Sequence, residues 1–254
     1  NGKLHYRRFD QHSTNANEPM SATGQLKQNW THSERKPPPI WIWLLLGALP
    51  VIAIVAFATL QPIKVRPRMA LAPAFAFTDM NGVRVTNEDL RGRLVLYQIS
   101  YTGCGERCAP LDAVMRDFQN SLPAVNTSNL PVALATISID PARDTPERLQ
   151  EHAAAVGANP EVWRFMTGEP AQLKSVVGGG FHIYYNEEAD GQYQFAPALV
   201  LVDGTGIVRA EYSLDTASVA ALTRDFQLVV DEILRSDGPG RLVYEAAHLF
   251  MCYP

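Results

Sequence analysis

Cys104 and Cys108, in the string Cys104-Gly105-Glu106-Arg107-Cys108, are the residues of this chain whose type and spacing support chemistry. They follow a strand read at Leu94–Ser100 and stand at the opening of a helix, where backbone N–H groups and the helix dipole stabilise a thiolate. Positions i and i+4 share one helical face. Two sulfurs so placed can close a disulfide if the first turn brings their Cα atoms to bonding separation. They can also converge on one soft ion such as Cu(I). The neighbours Gly103, Gly105, Glu106 and Arg107 read as an exposed turn, which argues against two inert buried thiols. Cys252 is the odd thiol. It reads as a small apolar residue among Leu249, Phe250 and Met251, or as a half of a pair with a partner chain.

The elements that must position the pair follow from the apolar pattern. Leu94–Ser100 (LVLYQIS) and Val132–Ile139 (VALATISI) read as buried strands, with a helix from Ala109 to Leu122 between them. Phe75–Thr78 and Val83–Val85 flank an Asn81-Gly82 turn, the signature of a hairpin. Asp144-Thr145-Pro146-Glu147 supplies an N-cap, Pro in the first turn and a carboxylate three residues on, and opens a helix to Val156. A strand at Val162–Met166 and a helix at Pro170–Val177 precede Gly178–Gly180. A second hairpin joins Leu199–Val202 to Ile207–Tyr212, and Thr216–Leu234 has helical periodicity. The order predicts one α/β domain with a central mixed sheet flanked by helices.

The 254 residues, 46% hydrophobic with three Cys, exclude a disordered, collagenous or disulfide-stapled chain. Residues 70–254 hold 13 basic and 23 acidic residues, a surplus of ten negative charges that repels phosphate backbones and excludes nucleic acid as a partner. Residues 40–60 (IWIWLLLGALPVIAIVAFATL) are uncharged and long enough to span a hydrocarbon layer of ~30 Å, so one transmembrane helix is expected there. Trp41 and Trp43 suit an interface, and Pro50 a kink. Lys27, Arg35 and Lys36 before the span balance Lys64, Arg66 and Arg68 after it, and the whole of residues 1–39, with six basic and three acidic residues, tips the expectation toward a cytoplasmic tail and a C-terminal domain in the periplasm or another extracytoplasmic space where a cysteine pair can cycle. The tail's composition predicts disorder unless a partner chain orders it. A linker is read at 61–73, the domain at 74–236 and an apolar, docked tail at 237–254.

The string Tyr101–Cys108, the preceding Leu90–Leu96 and Ile137–Pro146 together resemble the Sco/SenC family of membrane-anchored, thioredoxin-like copper proteins. Phe165–Gly168 and the Asp203–Gly206 turn extend the resemblance over about residues 73–235. It implies a thioredoxin-like fold behind the transmembrane helix. It also implies a domain that delivers Cu(I) to cytochrome c oxidase or keeps the cysteines of that enzyme's copper A site reduced. The family's two thiolate ligands fall on Cys104 and Cys108. Its copper-binding His, eight residues before the aspartate of the last hairpin, falls on Phe195, and the Pro that follows each family Cys is absent at Gly105 and Ala109. His182 is the nearest candidate replacement ligand; a surface or hydrogen-bonded histidine on a strand is the plainer reading. Pro197 lies where thiol–disulfide proteins similar to thioredoxin carry a cis-proline beside the cysteine pair, against the alternative of an ordinary trans proline at a strand edge.

Three functions follow from these residues and from what the resemblance implies. The chain handles Cu(I) or exchanges disulfides for cytochrome c oxidase assembly in association with a respiratory or photosynthetic complex; or it is a general extracytoplasmic thiol–disulfide oxidoreductase, the one enzymatic activity in reach; or it is a non-catalytic subunit of a membrane electron-transport complex. The acidic domain also suits a basic c-type cytochrome.

Overall fold

The computed structural model describes residues 39–60, 65–235 and 241–250, with the side chains of 57–60, 242, 243, 246, 249 and 250 outside that set. The tail at 1–38, expected to be ordered by a partner, the linker residues 61–64 and Cys252 all lie outside the described residues.

Helix α1 runs over Ile40–Leu60 with Pro50 inside it and no charged residue, and Trp41, Trp43, Leu44 and Ile52 are exposed. Its side chains are described only as far as Ala56, and among the described residues no helix is long and apolar enough to cross a membrane.

The remainder is built on an eight-stranded mixed sheet. In chain order the strands are β1 (Ala70–Leu71), β2 (Ala76–Asp79), β3 (Arg84–Thr86), β4 (Leu94–Ser100), β5 (Val132–Ser138) and β6 (Trp163–Thr167). A separate two-stranded hairpin, β7 (Tyr185–Glu187) and β8 (Tyr193–Phe195), precedes β9 (Ala198–Val202) and β10 (Ile207–Ser213). The large sheet is ordered β1-β10-β9-β4-β5-β6-β2-β3. β4 pairs in parallel with β5 and antiparallel with β9, and all seven residues of β4 are buried, as a central strand covered on both faces requires.

The two faces of the sheet hold two cores. Leu94 and Leu96 of β4 pack with helices α2 (Ala109–Val125), α3 (Pro146–Val156) and α5 (Val219–Arg235) through Leu111, Met115, Phe118, Leu149 and Phe226. Val95, Tyr97, Ile99 and Tyr101 point the other way, into a core shared with Phe75, Phe77, Phe181 and the β7–β8 hairpin. That second face is covered by the short helix α4 (Pro170–Leu173) and a π-type turn over Lys174–Gly180, where the sequence predicts helix to Val177. Burial pushes the Tyr97 hydroxyl well above its ordinary range. The helix over Arg241–Phe250, α6, buries Tyr244 and Ala247 with Val65, and its His248 Nε2 lies 2.9 Å from Glu232 Oε1 on α5.

Candidate functional site

Cys104 and Cys108 are joined in a disulfide with their Cα atoms 5.6 Å apart. They do not share one turn of an α-helix, as the spacing predicts. Thr102–Arg107 forms tight 3₁₀-type turns broken at Gly105, whose φ of 59° and ψ of −136° suit only glycine, and α2 starts afresh at Ala109. The break makes the two sulfurs unequal. Cys108 is the residue that caps α2, so the N-terminal end of that helix faces Cys108 rather than Cys104. Cys108 is 2% exposed, whereas Cys104 is part-buried on the turn before it. An added Cβ at Gly105 meets no atom, so the cost of a side chain there is conformational. Gly105→Ala is expected to lower stability by about 1–3 kcal/mol, read as a lower urea midpoint of the oxidised protein.

The loop is pinned from below by Asp144, which is fully buried. Its carboxylate accepts the Thr102 N–H at 2.9 Å, the Thr102 hydroxyl at 2.5 Å and the Ser138 hydroxyl, and Arg148 Nε donates to Thr102 Oγ1 at 2.9 Å. The helix cap of α3 falls to Thr145, which accepts from Arg148 N, because Asp144 is turned toward the cysteine loop. Asp144→Ala leaves the buried Ser138 hydroxyl and the two part-buried donors of Thr102 without their acceptor and is expected to cost about 3 kcal/mol. Chemical denaturation of both redox forms measures it.

From above, the β7–β8 hairpin closes over the loop. Arg107 Nη1 donates to Tyr193 O at 2.7 Å, and Tyr101 OH donates to Gln192 Oε1 at 2.7 Å while accepting from Tyr193 N. Arg143 ties the hairpin to the loop after β5 by donating to Gly191 O and Asp140. Burial raises the Asp140 carboxyl above its ordinary range, against the opposing pull of Arg143. Burial and the neighbouring Tyr193 push the Tyr185 hydroxyl up to about 12. Behind the pair, Asp112 of α2 accepts from Gln98 Nε2 at 2.7 Å, Gln98 Oε1 accepts from Thr136, and Thr136 Oγ1 accepts from Trp163 Nε1. Burial raises the Asp112 carboxyl, and the Gln98 bond and His152 partly offset it.

Of the candidate residues, Cys104 and Cys108 are brought together and the others are not gathered around them as ligands. His182 is exposed, at φ 59° between the π-type turn and β7 rather than on a strand, and among the described residues no three His, Cys, Asp or Glu side chains converge. Pro197 is buried between β8 and β9, and its peptide bond is trans, since no cis bond occurs among the described residues. Phe195 ends β8 with its ring 5.9 Å from that of Tyr101, packed on the same core as Cys104. The residues that hold the loop, Tyr101, Arg107, Asp144 and Tyr193, escape a reading of the sequence because none carries a metal-ligand or catalytic spacing.

Comparison with known proteins agrees with this architecture. The SCO1/SenC family matches residues 64–231. The SCO1 protein homolog of Bacillus subtilis is 30% identical over 145 residues, covering 55% of this chain and 72% of that protein. Two solved structures share the fold. One is BsSco, described with a disulfide switch as a member of the Sco family of cytochrome c oxidase assembly proteins (TM-score 0.58, 24% identity, 67% of this chain and 98% of that one). The other is Arabidopsis thaliana ScoI with copper bound (TM-score 0.53, 26% identity, 65% and 99%). A tethering strand-to-loop cysteine pair, the sheet that presents it and a match across most of the domain together make this chain a member of the SCO1/SenC family.

Proposed function

We propose that the chain is a membrane-anchored Sco protein that works by thiol–disulfide exchange at Cys104–Cys108 on a cysteine-bearing partner during cytochrome c oxidase assembly. The observation that carries the reading is the asymmetry of the pair. A bonded Cys104 stands part-exposed while Cys108 is buried at the start of α2, so an incoming thiolate has access to one sulfur and the other is the leaving group. The uncharged run over 40–60 supports an anchor, and the surplus of basic residues before it supports an extracytoplasmic domain, where a disulfide persists.

Copper as cargo is the second reading, supported by the copper bound to Arabidopsis ScoI. The donor set fits it only in part. Once reduced, Cys104 and Cys108 provide two thiolates, enough for Cu(I) in a linear arrangement, but the phenyl ring of Phe195 has no lone pair to give and His182 is not grouped with them. A role as a non-catalytic subunit would use neither sulfur.

The test uses the full chain in detergent micelles, equilibrated with reduced and oxidised glutathione and quenched by alkylation, followed by Cu(I) competition against a chromophoric chelator. A pair that equilibrates with glutathione, with weak Cu(I) binding confined to the reduced form, supports exchange. A pair that remains bonded in a large excess of reduced glutathione overturns it, and tight Cu(I) capture would move the assignment to cargo delivery.

A further inference from the structure

We infer that Ser100 is a positioning residue whose hydroxyl is held in reserve for Cys108: it has no partner while the disulfide is closed and donates to the Cys108 sulfur when exchange releases it. The inference rests on the proposed exchange reaction and adds to it the group that receives the leaving sulfur.

Ser100 is the last residue of β4 and is 1% exposed, yet its Oγ makes no hydrogen bond. A buried hydroxyl left unsatisfied costs about 1–3 kcal/mol, and such groups call for a reason. The register of β4 against α2 supplies one. Even-numbered residues of β4 face α2: Leu94 and Leu96 share the core of Leu111 and Met115, and Gln98 reaches Asp112 at 2.7 Å. β4 enters the cysteine loop and α2 leaves it, so the helix runs back along the strand. Moving from Gln98 to Ser100 advances about 7 Å along a strand; moving back from Asp112 to Cys108 retreats about 6 Å along a helix. The two steps match, so the register that joins Gln98 to Asp112 carries Ser100 to the level of Cys108 one step higher. Both are almost fully buried. With the disulfide closed, no acceptor lies within hydrogen-bond reach of the hydroxyl, and a released Cys108 thiolate is a far stronger acceptor than a disulfide sulfur.

A glutathione thiolate attacks Cys104 Sγ, the S–S bond breaks, and its electron pair leaves on Cys108 Sγ. That buried sulfur now carries a full charge, and the Ser100 O–H together with the N-terminal end of α2 lowers its cost. A second glutathione thiolate attacks the glutathione sulfur of the mixed disulfide and releases Cys104. The outcome is one dithiol and one molecule of oxidised glutathione, for two electrons.

Ser100→Ala separates this role from packing, because it removes an unsatisfied hydroxyl from the oxidised form and a bonded one from the reduced form. In the full chain equilibrated with glutathione at fixed pH, the variant is expected to shift the dithiol/disulfide equilibrium about tenfold toward the disulfide, about 30 mV. The melting temperature of the oxidised protein is expected to hold or rise while that of the reduced protein falls. An unchanged equilibrium in a pair that does exchange, or an equal loss of stability in both redox forms, overturns the role of Ser100 alone. A wild-type pair that never equilibrates with glutathione overturns the exchange reading beneath it.

Discussion

In a Cys252→Ser background, which removes the third thiol, Cys104→Ser will abolish reaction of the full chain with oxidised glutathione, whereas Cys108→Ser will arrest it one step later, as a mixed disulfide on Cys104. The difference follows from where the break at Gly105 leaves each sulfur. Cys104 lies on the open turn, and the core it touches is only partly closed over it. Cys108 is buried at the capping position of α2 and can be reached from within the loop but not from solvent. Exchange needs an accessible sulfur to form the intermolecular bond and a second one to resolve it. Mass spectrometry after incubation with oxidised glutathione reads the outcome: one added glutathione for Cys108→Ser, none for Cys104→Ser. Equal modification of the two variants would show that the loop opens enough to make the sulfurs equivalent. Closing so short a loop contributes about 2 kcal/mol to stability, so both variants remain folded for the comparison.

The strands around the pair are legible in the sequence, and the reason is visible in β4. Leu94–Tyr97 is apolar on both faces because the sheet buries the strand on both, and its ends are marked by Gly92 and the Thr102-Gly103 turn. The final hairpin is legible for a local reason too: Asp203 Oδ1 accepts from Thr205 N and Ile207 N, so the turn is made by residues adjacent in the chain. The β7–β8 hairpin is missed by periodicity, since each strand has only three residues. Its signals are Asp190-Gly191, with Gly191 at φ 78°, and the alternation of Tyr185 with Tyr193 and Phe195. The loop chemistry is hidden for a different reason. Asp144 reads as a helix cap from its neighbours, and only the fold brings Thr102 and Ser138 to its carboxylate. Gly105 reads as one glycine of an exposed turn, whereas its dihedral angles split what the spacing presents as one helical turn. Ser100 has no sequence signal, because an unpaired hydroxyl is a property of its surroundings.

Phe195→His is expected to convert the reduced protein from a weak two-thiolate binder into a three-coordinate copper site. Phe195 stands at the end of β8, the strand that Arg107 of the cysteine loop reaches through Tyr193 O, and its ring packs on Tyr101 and on the core that Cys104 touches. A histidine there is smaller than the ring it replaces. The cost is the loss of the aromatic contact with Tyr101, about 1 kcal/mol. The gain is an imidazole nitrogen, a ligand suited to copper in either oxidation state. In a Cu(I) competition titration the affinity of the reduced variant is expected to rise on the order of 100-fold, about 2.7 kcal/mol. Cu(II) should bind with a thiolate-to-metal absorption band that the parent lacks. Imidazole binds a metal only when neutral, so the added affinity is present above the ordinary histidine range near ~6.5 and is lost as pH falls through it. Exchange with glutathione at Cys104 should survive the substitution, since neither sulfur is altered. If Phe195→His binds copper no better than the parent while keeping that exchange, the end of β8 does not face the two sulfurs, and the aromatic residue is there for the packing of Tyr101 alone.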